Sequence, residues 1–194
     1  MPVTEKAPAP LGVVHGRFQV LHYDHLKYIL AAKANCRHLV VGITNPDPSL
    51  TRPEDADPSR NAPRSNPLTY FERYTLVRHV LAEKGLSWRD FSVTPLPISH
   101  PDLYRHYVPL DAVFFLTIYD DWGRRKLERF QALGLKTRIL WDKPISEKGI
   151  TGTRVRTLMA GDGNWEDLVP PAAARLMKKW DIPGRLAETE HTAG

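Results

Sequence analysis

The run Leu11-Gly12-Val13-Val14-His15-Gly16-Arg17-Phe18-Gln19-Val20-Leu21-His22-Tyr23-Asp24-His25-Leu26 changes its period in the middle. A nearly continuous apolar stretch ends in a glycine and a polar turn. Leu26, Ile29 and Leu30 then recur at helical spacing, which predicts strand, turn, helix. His22 and His25 lie three residues apart where that helix begins, so both rings can face one side of its first turn. A helix start carries unpaired amide N–H groups and a partial positive charge, which favours anions. Two imidazoles there add donors for a phosphate, and the chemistry they suit is charge stabilisation at phosphorus. The same spacing also suits a polar cap on a surface helix. A metal pair fits less well, because helical zinc pairs commonly sit at i and i+4 and no third ligand follows at a convincing spacing.

A chain of 194 residues, 42% of them hydrophobic, is long enough for one well-buried domain and short for two. No apolar run is long enough to cross a bilayer and the N-terminus lacks a signal-peptide pattern, so membrane insertion is not expected. The single cysteine, Cys36, excludes an internal disulfide framework and fits a reducing cytoplasm. A formal charge of +5 suits either nucleic acid or polyanionic small molecules. The arginines are spread along the chain with no basic arm, which favours a small anion over nucleic acid.

Residues 1–10 are Pro- and Ala-rich and read as a loose leader. Strands are expected at Leu11 to Phe18, His38 to Ile43, Phe91 to Ile98, Asp111 to Thr117 and Thr137 to Trp141. Helices are expected at Tyr23 to Ala34, Thr69 to Glu83, Trp122 to Leu133 and Ala172 to Trp180. Thr69 and Glu72 have the spacing of a capping box. This alternation predicts a five-stranded parallel, Rossmann-like sheet, doubly wound, in a single α/β domain spanning 11–185, with 186–194 as a frayed tail. Residues 44–67 hold Pro46, Pro48, Pro53, Pro58, Pro63 and Pro67 and cannot be a helix or a central strand. That loop leaves the second strand at its carboxyl end, where it would border the crevice beside His22 and His25.

A second stretch, Gly149-Ile150-Thr151-Gly152-Thr153-Arg154-Val155-Arg156, again turns into a helix. Its amides at Thr151, Gly152 and Thr153 and its two hydroxyls can wrap a phosphate, and Gly152 lets the backbone approach closely. Arg156 would lie on the first turn with its guanidinium over the same anion. Alone, Thr-Gly-Thr before a helix is also a common N-cap arrangement.

Together the two stretches resemble the HxGH nucleotidyltransferases. The segment GRFQVLHYDH is similar to that family's nucleotide-binding turn, and ITGTRVR to its Ser/Thr-Gly-Thr-x-Ile/Val-Arg motif. The archaeal-type NMN adenylyltransferases are similar over Gly12 to about Trp180, including Asn66-Pro67-Leu68-Thr69 with Glu72-Arg73. The resemblance implies transfer of a nucleotidyl group from a nucleoside triphosphate to a small acceptor, with release of pyrophosphate. It implies His22, His25 and Arg156 as catalytic residues holding the triphosphate and its developing charge. Gly16, Arg17 and Phe18 would form the floor under the nucleotide, and Thr151, Gly152 and Thr153 would bind its phosphates. It further implies Mg2+ held mainly by the triphosphate, without a cage of protein ligands, and frequent self-association.

Three departures bear on the acceptor. Asp24 stands at the glycine of HxGH, where its carboxylate must turn away to cap the helix. Tyr104 replaces the tryptophan that stacks on nicotinamide, and Pro101 stands where an amide side chain reads the carboxamide. Thr44-Asn45-Pro46-Asp47-Pro48 differs from the family's small-residue turn. The triphosphate half is kept and the acceptor half altered, which is similar to the cytidylyltransferases of phosphonate-antibiotic pathways. Transfer of CMP from CTP to a small phosphonate is therefore the expected reaction, ahead of NMN adenylyltransfer; a non-catalytic nucleotide- or nucleic-acid-binding protein is the remote third reading. Arg64, Tyr104, Arg105 and Arg124 are the expected acceptor residues, with Arg52, Arg60 and Arg125 as further cationic candidates.

Overall fold

In the computed structural model, which describes residues 7–47, 63–161 and 163–191, five parallel strands form one sheet. The strands are β1 (Ala9–Gly16), β2 (Cys36–Thr44), β3 (Phe91–Leu96), β4 (Val113–Ile118) and β5 (Lys136–Asp142), ordered β3-β2-β1-β4-β5. Pro95, which cannot donate to a ladder, falls in β3 at the sheet's edge, where that loss is tolerated. The helices are α1 (Tyr23–Lys33), α2 (Tyr70–Glu83), α3 (Asp121–Ala132), α4 (Gly152–Ala160), α5 (Pro171–Lys179) and α6 (Ile182–His191).

Alternation along the strands divides the core. Val14, Leu39 and Val41 pack on one face with Ile29 of α1, Val77 of α2, Met159 of α4 and Met177 of α5. Val13, Val40, Leu96 and Phe114 pack on the other with Phe130 of α3 and Tyr104 of a short 3-10 helix at Pro101–His106. The expected doubly wound sheet is the observed one. The anticipated capping box is also present: Glu72 N–H donates to Thr69 Oγ1 at 3.2 Å and Thr69 N–H to Glu72 Oε2 at 2.8 Å.

Several boundaries differ. The first strand starts at Ala9, inside the expected leader, and stops at Gly16. Phe18 takes a φ of 49°, in the left-handed region, which no strand can continue through. Residues 186–191 of the expected frayed tail form the last turns of α6, with Ile182 and Leu186 buried against the helical layer, and 192–194 lie outside the described residues. Residues 48–62 of the proline-rich loop, with Arg52 and Arg60, lie outside the described residues.

The order places a topological switch point between β1 and β4. Their pairing ends at Val13–Phe114, whereas β1 stays paired with β2 to Gly16–Ile43. Beyond Val13 the two strands leave polar backbone groups facing each other. Tyr28 of α1 fills the gap: its hydroxyl donates to the Phe115 carbonyl at 2.6 Å, and its own oxygen faces the His15 backbone N–H. The crevice above this point is the usual position for a ligand in an open α/β sheet.

Candidate active site

A cavity of about 470 Å³ occupies that crevice. His22, His25 and Arg156 line it together, so the helix tips of α1 and α4 open into one space. Gly16, Arg17, Phe18, Thr151, Gly152 and Thr153 line it as well. The structure thus gathers all nine residues expected for catalysis and nucleotide binding.

His22 is the N-cap residue of α1, and its side chain makes no capping hydrogen bond. Its ring stacks on that of His25, with centroids 3.8 Å apart and planes 22° apart. His25 Nδ1 donates to the Val20 carbonyl at 3.2 Å, which fixes the proton of the neutral ring on Nδ1. Phe18 meets His25 edge-on at 5.2 Å, so the ring expected under the nucleotide acts as a brace beneath the histidine. Gly16 permits this packing, because a Cβ there would come within 2.9 Å of the Phe18 ring.

The electrostatics follow from the crowding. Burial, and then the Arg156 charge, pushes the His22 imidazole down to about 4. Burial and the neighbouring His22 ring hold His25 well below its ordinary value. Both rings are therefore neutral at pH 7. A bound polyphosphate would supply the negative charge that favours their protonated forms against this burial.

On α4, Thr151 Oγ1 caps the helix by accepting from Arg154 N–H at 3.2 Å. Thr153 Oγ1 accepts from the buried Arg156 guanidinium at 3.2 Å. Each hydroxyl accepts within the helix tip and keeps its own O–H to donate. Asp24 does not cap α1. Its carboxylate lies against Gly149, where a Cβ would come within 2.5 Å of Oδ2, and so it links the two signature stretches.

Arg73 ties the neighbouring loops to this site. Its guanidinium is buried and donates to the carbonyls of Arg17 at 3.0 Å, Thr44 at 2.8 Å and Asn45 at 2.8 Å. Its Nε donates to Thr69 at 3.3 Å. The Gln19 amide makes a reciprocal pair with the Leu68 backbone, at 2.9 and 3.1 Å. Sequence reading placed Arg73 in a family junction but missed this clasp, since nothing in a helical pattern distinguishes an inward arginine from a surface one.

The expected acceptor residues are not in the cavity. Tyr104 is 1% exposed, donates to the Ile98 carbonyl at 2.7 Å and meets Phe130 edge-on, so it is a core residue. Arg105 is exposed and its Nε donates to His106 Nε2 at 3.2 Å. Arg124 pairs with Asp142 at 3.2 Å on the outer side of α3, and Arg125 is exposed beside it. Two residues along a helix turn a side chain to the opposite face, which is why Lys126 reaches the cavity and Arg124 does not. Arg64 is exposed in a 3-10 turn at Pro63–Ser65, and it too is not a lining residue.

The lining residues that sequence reading missed include His15, Tyr119, Asp120, Lys126 and Lys148. Asp120 caps α3 by accepting from Gly123 N–H at 2.9 Å and faces Lys148 at 3.5 Å. A titratable residue inside an apolar strand was the available signal for His15. Among the described residues no three His, Cys, Asp or Glu side chains are grouped to hold a metal ion, and no helix is long and apolar enough to cross a membrane.

A cytidylyltransferase-like family model matches residues 13–158. The chain is 50% identical to a phosphonoformate cytidylyltransferase of Streptomyces viridochromogenes, over 92% of this chain and 96% of that protein. It is 28% identical to a nicotinamide-nucleotide adenylyltransferase of Ignicoccus hospitalis, over 89% of this chain and 94% of that one. A crystal structure of a bifunctional NMN adenylyltransferase/ADP ribose pyrophosphatase from Francisella tularensis shares the fold, with a TM-score of 0.67 and 17% identity. That match covers 94% of this chain and 54% of the other, so the chain spans about half of the two-activity protein. With a matching family model over most of its length and a half-identical relative along nearly all of it, the chain belongs to the cytidylyltransferase-like family and is a nucleotidyltransferase.

Proposed function

We propose that this enzyme transfers the cytidylyl group of CTP to phosphonoformate, or to a closely related small phosphonate, and releases pyrophosphate. The observation that carries the transfer chemistry is the single cavity into which both helix tips open, with His22, His25 and Arg156 around it. The choice of CTP and a phosphonate rests on the half-identical phosphonoformate cytidylyltransferase, as against 28% for the adenylyltransferase.

The reaction needs no protein nucleophile. An oxygen of the acceptor attacks the α-phosphorus in line, the bond to the bridging α–β oxygen breaks, and pyrophosphate carries away the electron pair. The chain's work is to position the two reactants and to neutralise the leaving group. Arg156 sets a planar fork against the outer phosphates while Thr153 steadies it. The amides of Gly152 and Thr153 open the α4 helix toward the same phosphates. His25, held through Nδ1 by Val20, takes a proton at Nε2 as the polyphosphate settles and then donates it to the charge growing on the bridge.

Nucleotidyltransferases of this kind use a divalent metal, and Mg2+ is the ion we assign. The lining suits an ion that arrives with the triphosphate, because imidazoles, hydroxyls and cations outnumber carboxylates there. When bound it would neutralise phosphate charge. The lone buried cysteine suits a cytoplasmic enzyme.

Pyrophosphate release, assayed with each nucleoside triphosphate and Mg2+ against phosphonoformate, other phosphonates and NMN, tests the proposal. CTP with phosphonoformate is expected to turn over fastest. Turnover confined to ATP with NMN would establish the adenylyltransferase reading, and a salt-sensitive shift with duplex DNA and no turnover would establish a binding protein.

A further inference from the structure

His15 leaves β1 on the side of the sheet opposite α1, as alternation from Val13 requires. Its ring lies 5.3 Å from that of Phe130 on α3, and the residue is 8% exposed. It nonetheless lines the same cavity as His22, His25 and Arg156. Neither of its ring nitrogens has a hydrogen-bond partner among the described residues. Leaving a buried polar atom unpaired is costly, so two on one ring in a ligand cavity need an explanation.

Lys126 supplies the second observation. It lines the cavity from α3 and stands over the Trp122 ring at 4.1 Å. Its charge acts on His15, whose imidazole burial already holds well below the ordinary value. A neutral imidazole and an ammonium thus share the side of the cavity lined from β1 and α3. Asp120 pairs with Lys148 at 3.5 Å and lies within the field of Lys126 as well, so two cations face one carboxylate there.

We propose that His15 and Lys126 bind the acceptor, as a small multiply charged anion, and set its oxygen toward the α-phosphorus held between α1 and α4. This inference rests on the cytidylyl-transfer reading and adds the residues that select its second substrate. Lys126 meets the charge; His15 supplies one N–H donor when neutral and two once the anion has raised its proton affinity. The pair explains why none of the surface arginines is needed for the acceptor.

The experiment is steady-state kinetics with CTP and phosphonoformate for the wild type, His15→Leu, His15→Gln and Lys126→Met. Thermal melting and CTP binding check that each variant folds. His15→Leu and Lys126→Met should each raise the phosphonoformate KM at least about tenfold, as expected for losing a charge-assisted donor, while the CTP KM stays within about twofold. His15→Gln, which keeps a donor in a polar side chain of similar reach, should recover part of the loss, and it decides the role of His15 if the leucine variant does not fold. An active wild type with unchanged phosphonoformate KM in both His15→Gln and Lys126→Met overturns this inference alone. A rise in the CTP KM instead assigns this end to the nucleotide and also overturns it. A wild type that accepts no phosphonate overturns the functional reading and this inference with it.

Discussion

The imidazoles of His22 and His25 lie face to face, 3.8 Å between centroids, at a helix tip that already carries partial positive charge. Two protonated rings cannot coexist there without an anion, so ligand binding and proton uptake are one event. CTP binding at pH 7 should therefore take up protons. Calorimetry in two buffers of different ionisation enthalpy should give different apparent binding enthalpies, and equal enthalpies would show that the rings do not change charge.

His25→Ala removes the donor closest to the braced side of the helix tip. Turnover should fall by about 10²–10³, the usual loss for one donor to a developing oxyanion, with the melting temperature little changed. The same assay on His22→Ala separates the roles of the stacked pair. Turnover within twofold of the wild type in His25→Ala would remove it from the chemistry.

Arg73 holds the carbonyls of Arg17, Thr44, Asn45 and Thr69 at once. Two of the residues it secures or adjoins, Phe18 and Asn45, sit at φ 49° without being glycines, a conformation that needs external support. Arg73→Met should lower the unfolding free energy in urea by about 3–5 kcal/mol, because four carbonyls lose a buried charged partner. An unfolding midpoint equal to the wild type would show that the clasp is dispensable.

Stability should also depend on pH in a defined direction. His15, His22 and His25 bind protons less readily folded than unfolded. Below pH 6.5 the unfolded chain takes up protons the folded one refuses, so stability falls as pH falls. Each such histidine contributes a slope of about 1.4 kcal/mol per pH unit, and for His22 the window closes near pH 4. Urea unfolding from pH 7 to pH 5 should show a shallower decline for His22→Asn than for the wild type. Equal slopes would mean that His22 titrates alike in both states.

The sheet and the meeting of His22, His25 and Arg156 at one cavity were legible because each rests on local pattern. Strand-to-helix changes of period fixed the elements, and the two signature stretches placed His22, His25 and Arg156 at helix tips that the parallel topology must bring to one rim. Which cations and aromatics of the remaining elements face the cavity was not legible. Arg124 and Lys126 are both cations on one helix, and only the helix's rotation against the sheet decides which faces the cavity. Tyr104 carries the aromatic expected of a stacking residue, yet its ring turns into the core beside Phe130. His15 was hidden in an apolar strand whose pairing with β4 stops at Val13, before it is reached, a long-range fact that no local window contains.

A structure of the enzyme with CTP bound tests the central claim most directly. One triphosphate should touch the Arg156 guanidinium and the His25 ring together, with the α-phosphorus between the tips of α1 and α4. Phosphates that reach only one of those tips, or a nucleotide seated outside this cavity, would contradict it.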